Sequence, residues 1–483
     1  MERVSSVESV TTVAGAKAPV TGGHDTTVAE AMQRSYDAVK QHTDGAFGTE
    51  RPPLFSPAIA PQEASACKSG LHEWGPMFLP AEYSNWLDES RAHVETCYLG
   101  DWSALAKAVV QGPEALEFVS QLGMANLADF PLNRTKHHVQ LDEYGRVASE
   151  GVICRVGEDA FLYTAGSSEW LAWQLSQGSW DAEASDITAK EFVFGVQGPT
   201  SIFSLEAATG ESLRDIDFGA SRMSRIGPHP VRILRVGISG ELGYEIHGPA
   251  EHGAEIWIAL RDAGKEFGLV QLGGAAQPVQ HIEAGIATNG LDYMPSAAMT
   301  PGAPKLFRRR GMGGSFIPSG FEDYFRRPRE LAWGPRDGSI PEHDFVGRRA
   351  LLEDAHNPSR QLVGLIWNAD DVIDIFAQTL RSDGELVDQM DLPRRRGPAF
   401  DQVLCGSDAV GVSTGRALSV NVRAMISLCV LDSALTAPGT DVTVVWGRPG
   451  TSQRHIRATV TELPFKPDRR RTDVANLRPP TMR

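Results

Sequence analysis

Two stretches of this chain share one layout, "QGPEALEFVSQLG" (Gln111 to Gly123) and "EFVFGVQGPTSIFSLEAATG" (Glu191 to Gly210). In each, a Gln-Gly-Pro turn opens a segment with helical apolar spacing that stops at glycine, and in the second an apolar strand-like run leads into the turn. This echo predicts an α+β unit used twice, an internal duplication within a core spanning about 66–295. "AEYSNWLDESRAHVETC" adds a helix, with Trp86, Leu87, Ala92 and Val94 at near-helical spacing. "HHVQLDEYGRVASEGVICRVGEDAFLYTAG" alternates between turn signals at Glu143-Tyr144-Gly145 and Gly157-Glu158-Asp159, which predicts successive antiparallel strands. Residues 1–65 read as a partly disordered arm, with "RPPLFSPAIAP" (Arg51 to Pro61) extended. A Gly, Pro and Arg-rich connection follows the core over 296–345. After it, "RQLVGLIW", "ALSVNVRAMISLCVL", "TDVTVVW" and "HIRATVTELPF" predict a small all-β barrel or sandwich over 346–470, leaving a tail at 471–483.

At 483 residues the chain exceeds one ordinary hydrophobic core, so two or three domains are expected. The net charge of -15, from 46 Lys+Arg against 61 Asp+Glu, repels a phosphate backbone and argues against a nucleic-acid partner. Five scattered cysteines without a CxxC pair fit a reducing cytoplasm. No segment reaches the roughly 20 apolar residues of a membrane span, so no membrane association is expected. The oligomeric state stays open.

"GISGELGYEIHGP" (Gly237 to Pro249) resembles a phosphate loop only in glycine content: its spacing is not GxGxxG, and it leads into a strand rather than a helix N-terminus. His137 and His138 are adjacent, so on a strand they point to opposite faces, one packed and one exposed, and no metal site is predicted. The arginine runs Arg308–Arg310, Arg326–Arg327 and Arg394–Arg396 read as solvated, with a polyanionic tail as the alternative ligand for one of them.

In order along residues 80 to 466, "GISGELGYEI", "IEAGIATNGLDY" (Ile282 to Tyr293), "FVGRRALL" (Phe345 to Leu352), "VGVSTG" (Val410 to Gly415) and Pro464-Phe465 resemble the motifs of the glycine-cleavage T-protein (aminomethyltransferase) superfamily. The resemblance implies a three-lobed α+β fold with tetrahydrofolate bound in a central channel and a C-terminal β-barrel domain. It places Glu150 where the family has its catalytic Asp, Thr164 where it has an asparagine and Gln277 where it has an arginine, making Glu245, Thr164, Gln277 and Glu150 the cofactor-binding candidates. The missing arginine points away from aminomethyl transfer from a lipoyl carrier protein. "EYSNWLDESRAHVETCYLGDWS" and "LADFPLNRTKHHV" look closer to the branch of O-demethylases that move the methyl group of methoxybenzoates onto tetrahydrofolate. "SALA" (Ser103 to Ala106) departs from that branch's histidine stretch, so the donor pocket differs.

The expected activity is therefore methyl transfer from a methoxylated aromatic acid (vanillate, syringate or a chlorinated methoxybenzoate such as dicamba) to N5 of tetrahydrofolate. Demethylation of a small sulfonium or amine, or folate binding without turnover, are the alternatives. The displacement needs alignment and an acid for the phenolate leaving group. Glu245 suits the pterin's N–H groups, its bland alternative being an exposed strand Glu. Tyr244 alternates to the other face and reads equally as catalytic acid or core. Glu150 and His137 are further catalytic candidates, and Tyr98 and His281 could also donate a proton. Trp86, Trp102, Arg134 and His281 are the substrate candidates, the tryptophans to pack the ring and Arg134 to hold a carboxylate.

Overall fold

The computed structural model describes residues 54–65, 70–303, 312–334, 339–354, 359–393 and 397–479. Most of the expected N-terminal arm, Cys67 and the runs Arg308–Arg310 and Arg394–Arg396 lie outside them.

The described chain opens with Leu54–Phe55 (β1), parallel to Met77–Pro80 (β3), which also pairs with Leu71–Trp74 (β2). Between them the expected extended arm is in part a helix, Ile59–Glu63 (α1), with Ala58 and Ile59 buried. Pro61 fits there because it stands in the first turn, where its missing N–H has no intrahelical acceptor to serve. Helix α2, Trp86–Glu95, starts where the Asn85 side chain accepts from the Asp88 N–H.

Two sheets follow. The central one joins Cys97–Asp101 (β4), Glu191–Gln197 (β10), Ser221–Ile226 (β11), His229–Leu234 (β12), Gly243–Pro249 (β13) and Leu269–Leu272 (β14), in the order β11-β12-β13-β10-β4-β14. The second joins Lys107–Gln111 (β5), Thr135–Leu141 (β6), Val147–Gly157 (β7), Ala160–Thr164 (β8) and Glu183–Asp186 (β9), in the order β6-β7-β8-β5-β9. The two Gln-Gly-Pro turns have one geometry. β5 passes through Gly112 at φ 132° into helix Ala115–Leu122 (α3), and β10 through Gly198 at φ 131° into Ser201–Thr209 (α5). Glycine is required at both, since a Cβ would fall 2.5 Å from Asp181 O in the first and 2.4 Å from Thr96 O in the second.

Helix Ser168–Ser176 (α4) follows β8, and Gly253–Gly264 (α6) packs with α5 on one face of the central sheet, burying Ile202, Leu205, Ile256 and Trp257 against Phe194, Val196 and Ile246. Helix Gln277–Glu283 (α7) is a wedge: Val279 and Ile282 share a core with Val139 of β6, Tyr293 and the barrel residues Ala417, Ile426 and Leu428. The connection after it is more packed than its composition suggests, with Tyr324, Phe325, Arg326 and Leu331 buried. Arg326 thus departs from the expected solvated run. Helices Arg348–Asp354 (α8) and Ala369–Leu380 (α9) flank the expected barrel, which is closed. Its strands are Arg360–Trp367 (β15), Phe400–Cys405 (β16), Asp408–Ser419 (β17), Ala424–Asp432 (β18), Asp441–Trp446 (β19) and Arg454–Thr461 (β20), in the order β15-β18-β17-β16-β19-β20. Among the described residues no helix is long and apolar enough to cross a membrane.

Candidate functional site: a glycine floor under an aromatic wall

Strand alternation decides what faces the site. β13 pairs with β10 without a bulge, from Gly243 opposite Gln197 to Pro249 opposite Glu191, so Tyr244 and Glu245 take opposite faces. Tyr244 is fully buried in the core beneath α5 and α6, its hydroxyl has no hydrogen-bond partner among the described residues, and burial drives its pKa well up. That corrects the expectation of Tyr244 as the acid: it is a core residue on the far side of the sheet from Glu245. Glu245 remains partly accessible and accepts a hydrogen bond from His247 Nε2 at 3.2 Å.

On the Glu245 face, one row across the sheet reads Leu234, Glu245, Gly195, Gly100, Leu272. The two glycines leave a floor without side chains, and the Trp102 indole lies over it, where a Cβ on Gly195 would come within 2.2 Å of its Nε1. Trp102 meets Trp74 edge-on at 5.7 Å and Tyr98 edge-on at 6.2 Å, and Trp86 packs into the same cluster. The structure therefore brings Trp86 and Trp102 together, and adds Trp74.

Tyr98 points from β4 onto this face, and its burial pushes the phenol's pKa well up, with Gln280 and Ser239 pulling it down and the Glu245 charge raising it further. Gln280 and Ser239 are near enough to bias its ionisation, yet neither completes a hydrogen bond to its hydroxyl. Among the described residues Gln280 of α7 has both amide atoms buried without partners, as are Gln197 Nε2 and His247 Nδ1 on the same face. Buried polar groups in this state cost free energy that a ligand offering both donors and acceptors would recover. This is the chemistry of a pterin ring, so the donor set fits a folate. Gln277, half-buried at the start of α7, lies on the same helix as Gln280.

The second sheet supplies the opposite wall. Cys154 and Leu162 pack against Leu234, so the face of β7 and β8 that carries them turns toward the Glu245 face. Glu150 and Thr164 share that face with Val152, which is paired with Thr164. Thr164 is buried. Glu150 accepts from His137 Nε2 at 2.9 Å, and the imidazole meets Trp333 edge-on at 4.9 Å. His138 takes the other face and bonds Val119 O at 2.8 Å; burial lowers its pKa to about 4. The adjacent histidines thus divide into one exposed and one packed.

Two substrate candidates fall elsewhere. Arg134 directs its guanidinium to Phe218 O at 3.5 Å and Asp217 at 3.8 Å, outside the tryptophan cluster, because it ends the loop that bridges to Ala220. His281 is buried against Asp292 at 3.2 Å, whose carboxylate also accepts the Thr288 N–H. Both corrections have one cause: spacing in sequence does not reveal which partner a side chain finds across the fold.

The sequence matches the GCVT N-terminal domain over residues 59–301, half of the chain. The chain belongs to the GCVT family. It is 36% identical to sesamin methylene transferase of Sinomonas sp. across 80% of this chain and 90% of that protein, and 28% identical to syringate O-demethylase of Sphingobium sp. over the same shares. The fold matches the glycine cleavage system aminomethyltransferase T of Bartonella henselae with a TM-score of 0.65 at 19% identity, covering 86% of this chain and 98% of that one. GCVT membership makes the chain a folate-dependent one-carbon transferase, with tetrahydrofolate as acceptor.

Proposed function

We propose that this GCVT-family transferase removes the one-carbon unit of an aryl ether, a methoxylated aromatic acid of the vanillate or syringate class, giving a phenol. The observation that carries this reading is the aromatic cluster of Trp74, Trp86, Trp102 and Tyr98 packed over Gly195 and Gly100 beside Glu245, with the buried polar atoms of Gln280, Gln197 and His247 on the same side lacking partners among the described residues. When bound, tetrahydrofolate supplies the nucleophilic N5 that accepts the carbon. Glu245 and Gln280 hold the pterin through its N–H and carbonyl groups. The tryptophans exclude water and align the ether for in-line displacement. Tyr98, kept protonated by burial, donates a hydrogen bond to the ether oxygen as negative charge develops there. Glu150 and His137 form the proton-handling pair on the facing wall, Glu150 accepting and His137 donating.

A second donor, a methylenedioxy-bridged arene, is favoured by the 36% identity to a sesamin methylene transferase. It carries no carboxylate and makes no demand on Arg134. Incubating the protein and tetrahydrofolate with syringate, vanillate and a methylenedioxybenzene, then resolving folates by mass spectrometry, separates the two. 5-Methyltetrahydrofolate from the methoxyarenes supports the first reading, methylenetetrahydrofolate from the bridged arene the second. Product from sulfonium or amine donors alone would overturn both. Within the same assay, Gly195→Ala is expected to lower kcat/KM for the aryl ether about tenfold by displacing Trp102, and to lower stability by about 1–3 kcal/mol through overpacking. Wild-type kinetics in that variant would remove Trp102 from the site.

A further inference from the structure

The loop between β12 and β13, residues 235–242, carries most of "GISGELG" and delivers the chain to Glu245. It is pinned to β10 and the turn after it: the Ser239 N–H donates to Gln197 Oε1 at 3.1 Å, which sets the way that amide turns, and Leu242 O accepts the Gly198 N–H at 2.8 Å. Ser239 is buried and stands close enough to Tyr98 to oppose the rise that burial imposes on the phenol's pKa. Glu241 is the anomaly on this loop, a carboxylate only 2% exposed. A charge in such a place needs a partner.

The partner comes from the end of the chain, 225 positions later. Lys466 Nζ, itself 10% exposed, donates to Glu241 Oε1 at 2.9 Å, and Arg469 Nη1 stands 3.8 Å from Oε2. The backbone on either side of Lys466 is fixed as well. The Phe465 N–H donates to Glu283 O at 3.0 Å and the Arg469 N–H to Gly240 O at 2.7 Å, so loop, tail and the end of α7 meet at one point. Gly240 makes the meeting possible: it holds φ 75°, and a Cβ there would come 3.1 Å from Lys466 Nζ and 3.2 Å from Ala284 Cβ. Further on, Arg214 Nη1 donates to Val474 O, Ala475 O and Leu477 O at 2.9, 3.2 and 2.8 Å, and Val474 is 3% exposed in the core of the central sheet. Lys466 is thus no mobile surface lysine, whose ion pairs contribute little.

We propose that Lys466 is a positioning residue for tetrahydrofolate, acting through Glu241: the buried pair locks loop 235–242 onto Gln197 and so fixes the entry of β13 and the Glu245 carboxylate where the pterin is held. This role rests on the pterin lying beside Glu245. Without the ammonium, the Glu241 carboxylate is left buried and unpaired, and turning it out to water pulls Ser239 away from Gln197.

The test is fluorescence titration of the full chain with tetrahydrofolate, at a temperature where circular dichroism shows each variant folded. Lys466→Met is expected to weaken the Kd at least tenfold, Lys466→Arg to restore it to within about threefold of wild type, and Lys466→Met combined with Glu241→Gln to be no weaker than Lys466→Met alone. Glu241→Gln keeps the side chain's shape without its charge and carries the comparison if Lys466→Met does not fold; at least a threefold weaker Kd is expected in it. Glu245→Ala is the control for the cofactor's place. Weakened binding in Glu245→Ala with unchanged Kd in Lys466→Met and Glu241→Gln would overturn the role of Lys466 and leave the pterin where it is, even if both variants melt earlier. Unchanged Kd in all three would remove the pterin from Glu245, and the role of Lys466 with it.

Discussion

Glu245→Ala is expected to weaken tetrahydrofolate binding roughly 100-fold, the equivalent of about 3 kcal/mol, while leaving the protein folded. The size follows from what the carboxylate can do on its face of β13. Hydrogen bonds to an ionised acceptor are the strong ones, and two parallel N–H donors on a pterin match one carboxylate. Its neighbours on that face are Gly195 and Gly100, which put no side chain beside Glu245 and over which the Trp102 indole packs. Stability should change little, because Glu245 is partly accessible and, among the described residues, it bonds His247 of the same strand. Glu245→Gln should fall between the two, keeping the shape but losing the charge. Fluorescence titration of folate against the three proteins reads this directly, with circular dichroism as the folding control. Unchanged affinity in Glu245→Ala would remove the residue from the cofactor site.

The outcome at Glu245 and Tyr244 shows what a sequence can and cannot carry. Alternation within "GYEIHGP" places the two residues on opposite faces, which holds because β13 is regular, but alternation alone does not say which face is core. The packing of helices α5 and α6 onto one face of the sheet decides that. The same limit explains Arg134, whose partners are Asp217 and Phe218. The barrel and the strands around "DEYGR" were legible because turn chemistry and period-two patterning are local. Gly195 carried a faint signal, a glycine inside an apolar strand, and such a residue often marks a close approach. Gln280 carried none: a glutamine in a short helix becomes conspicuous only when its amide is seen buried without a partner against Tyr98.

The largest expected effect on stability lies at Glu283, the carboxylate of the "IEAG" segment. It is fully buried at the end of α7 and accepts from His93 Nε2 of α2 at 2.8 Å, Ser419 Oγ at 2.6 Å and Asn421 Nδ2 at 3.1 Å. One side chain therefore ties the wedge helix to α2 and to the barrel. Breaking a buried pair by removing one partner costs about 3–5 kcal/mol, since the other is left without its bond. Glu283→Ala is expected to lose that much in chemical denaturation, and to weaken folate binding secondarily because Gln280 rides on the same helix. The acid limb gives an independent readout. Burial pushes the Glu283 pKa up, but the hydrogen bond and charge of His93 with the bonds from Ser419 and Asn421 outweigh it, and the net direction is below the usual 4.5. A depressed carboxyl contributes stability that is complete above its unfolded pKa and is lost as pH falls through the folded one. Wild type should thus lose melting temperature more steeply than Glu283→Gln between pH 5 and the acid limit, roughly the window below an ordinary Glu pKa. Parallel melting curves in that window, with a denaturation loss under about 1 kcal/mol in Glu283→Ala, would show that packing of Val279 and Ile282, and not this carboxylate, joins the lobes.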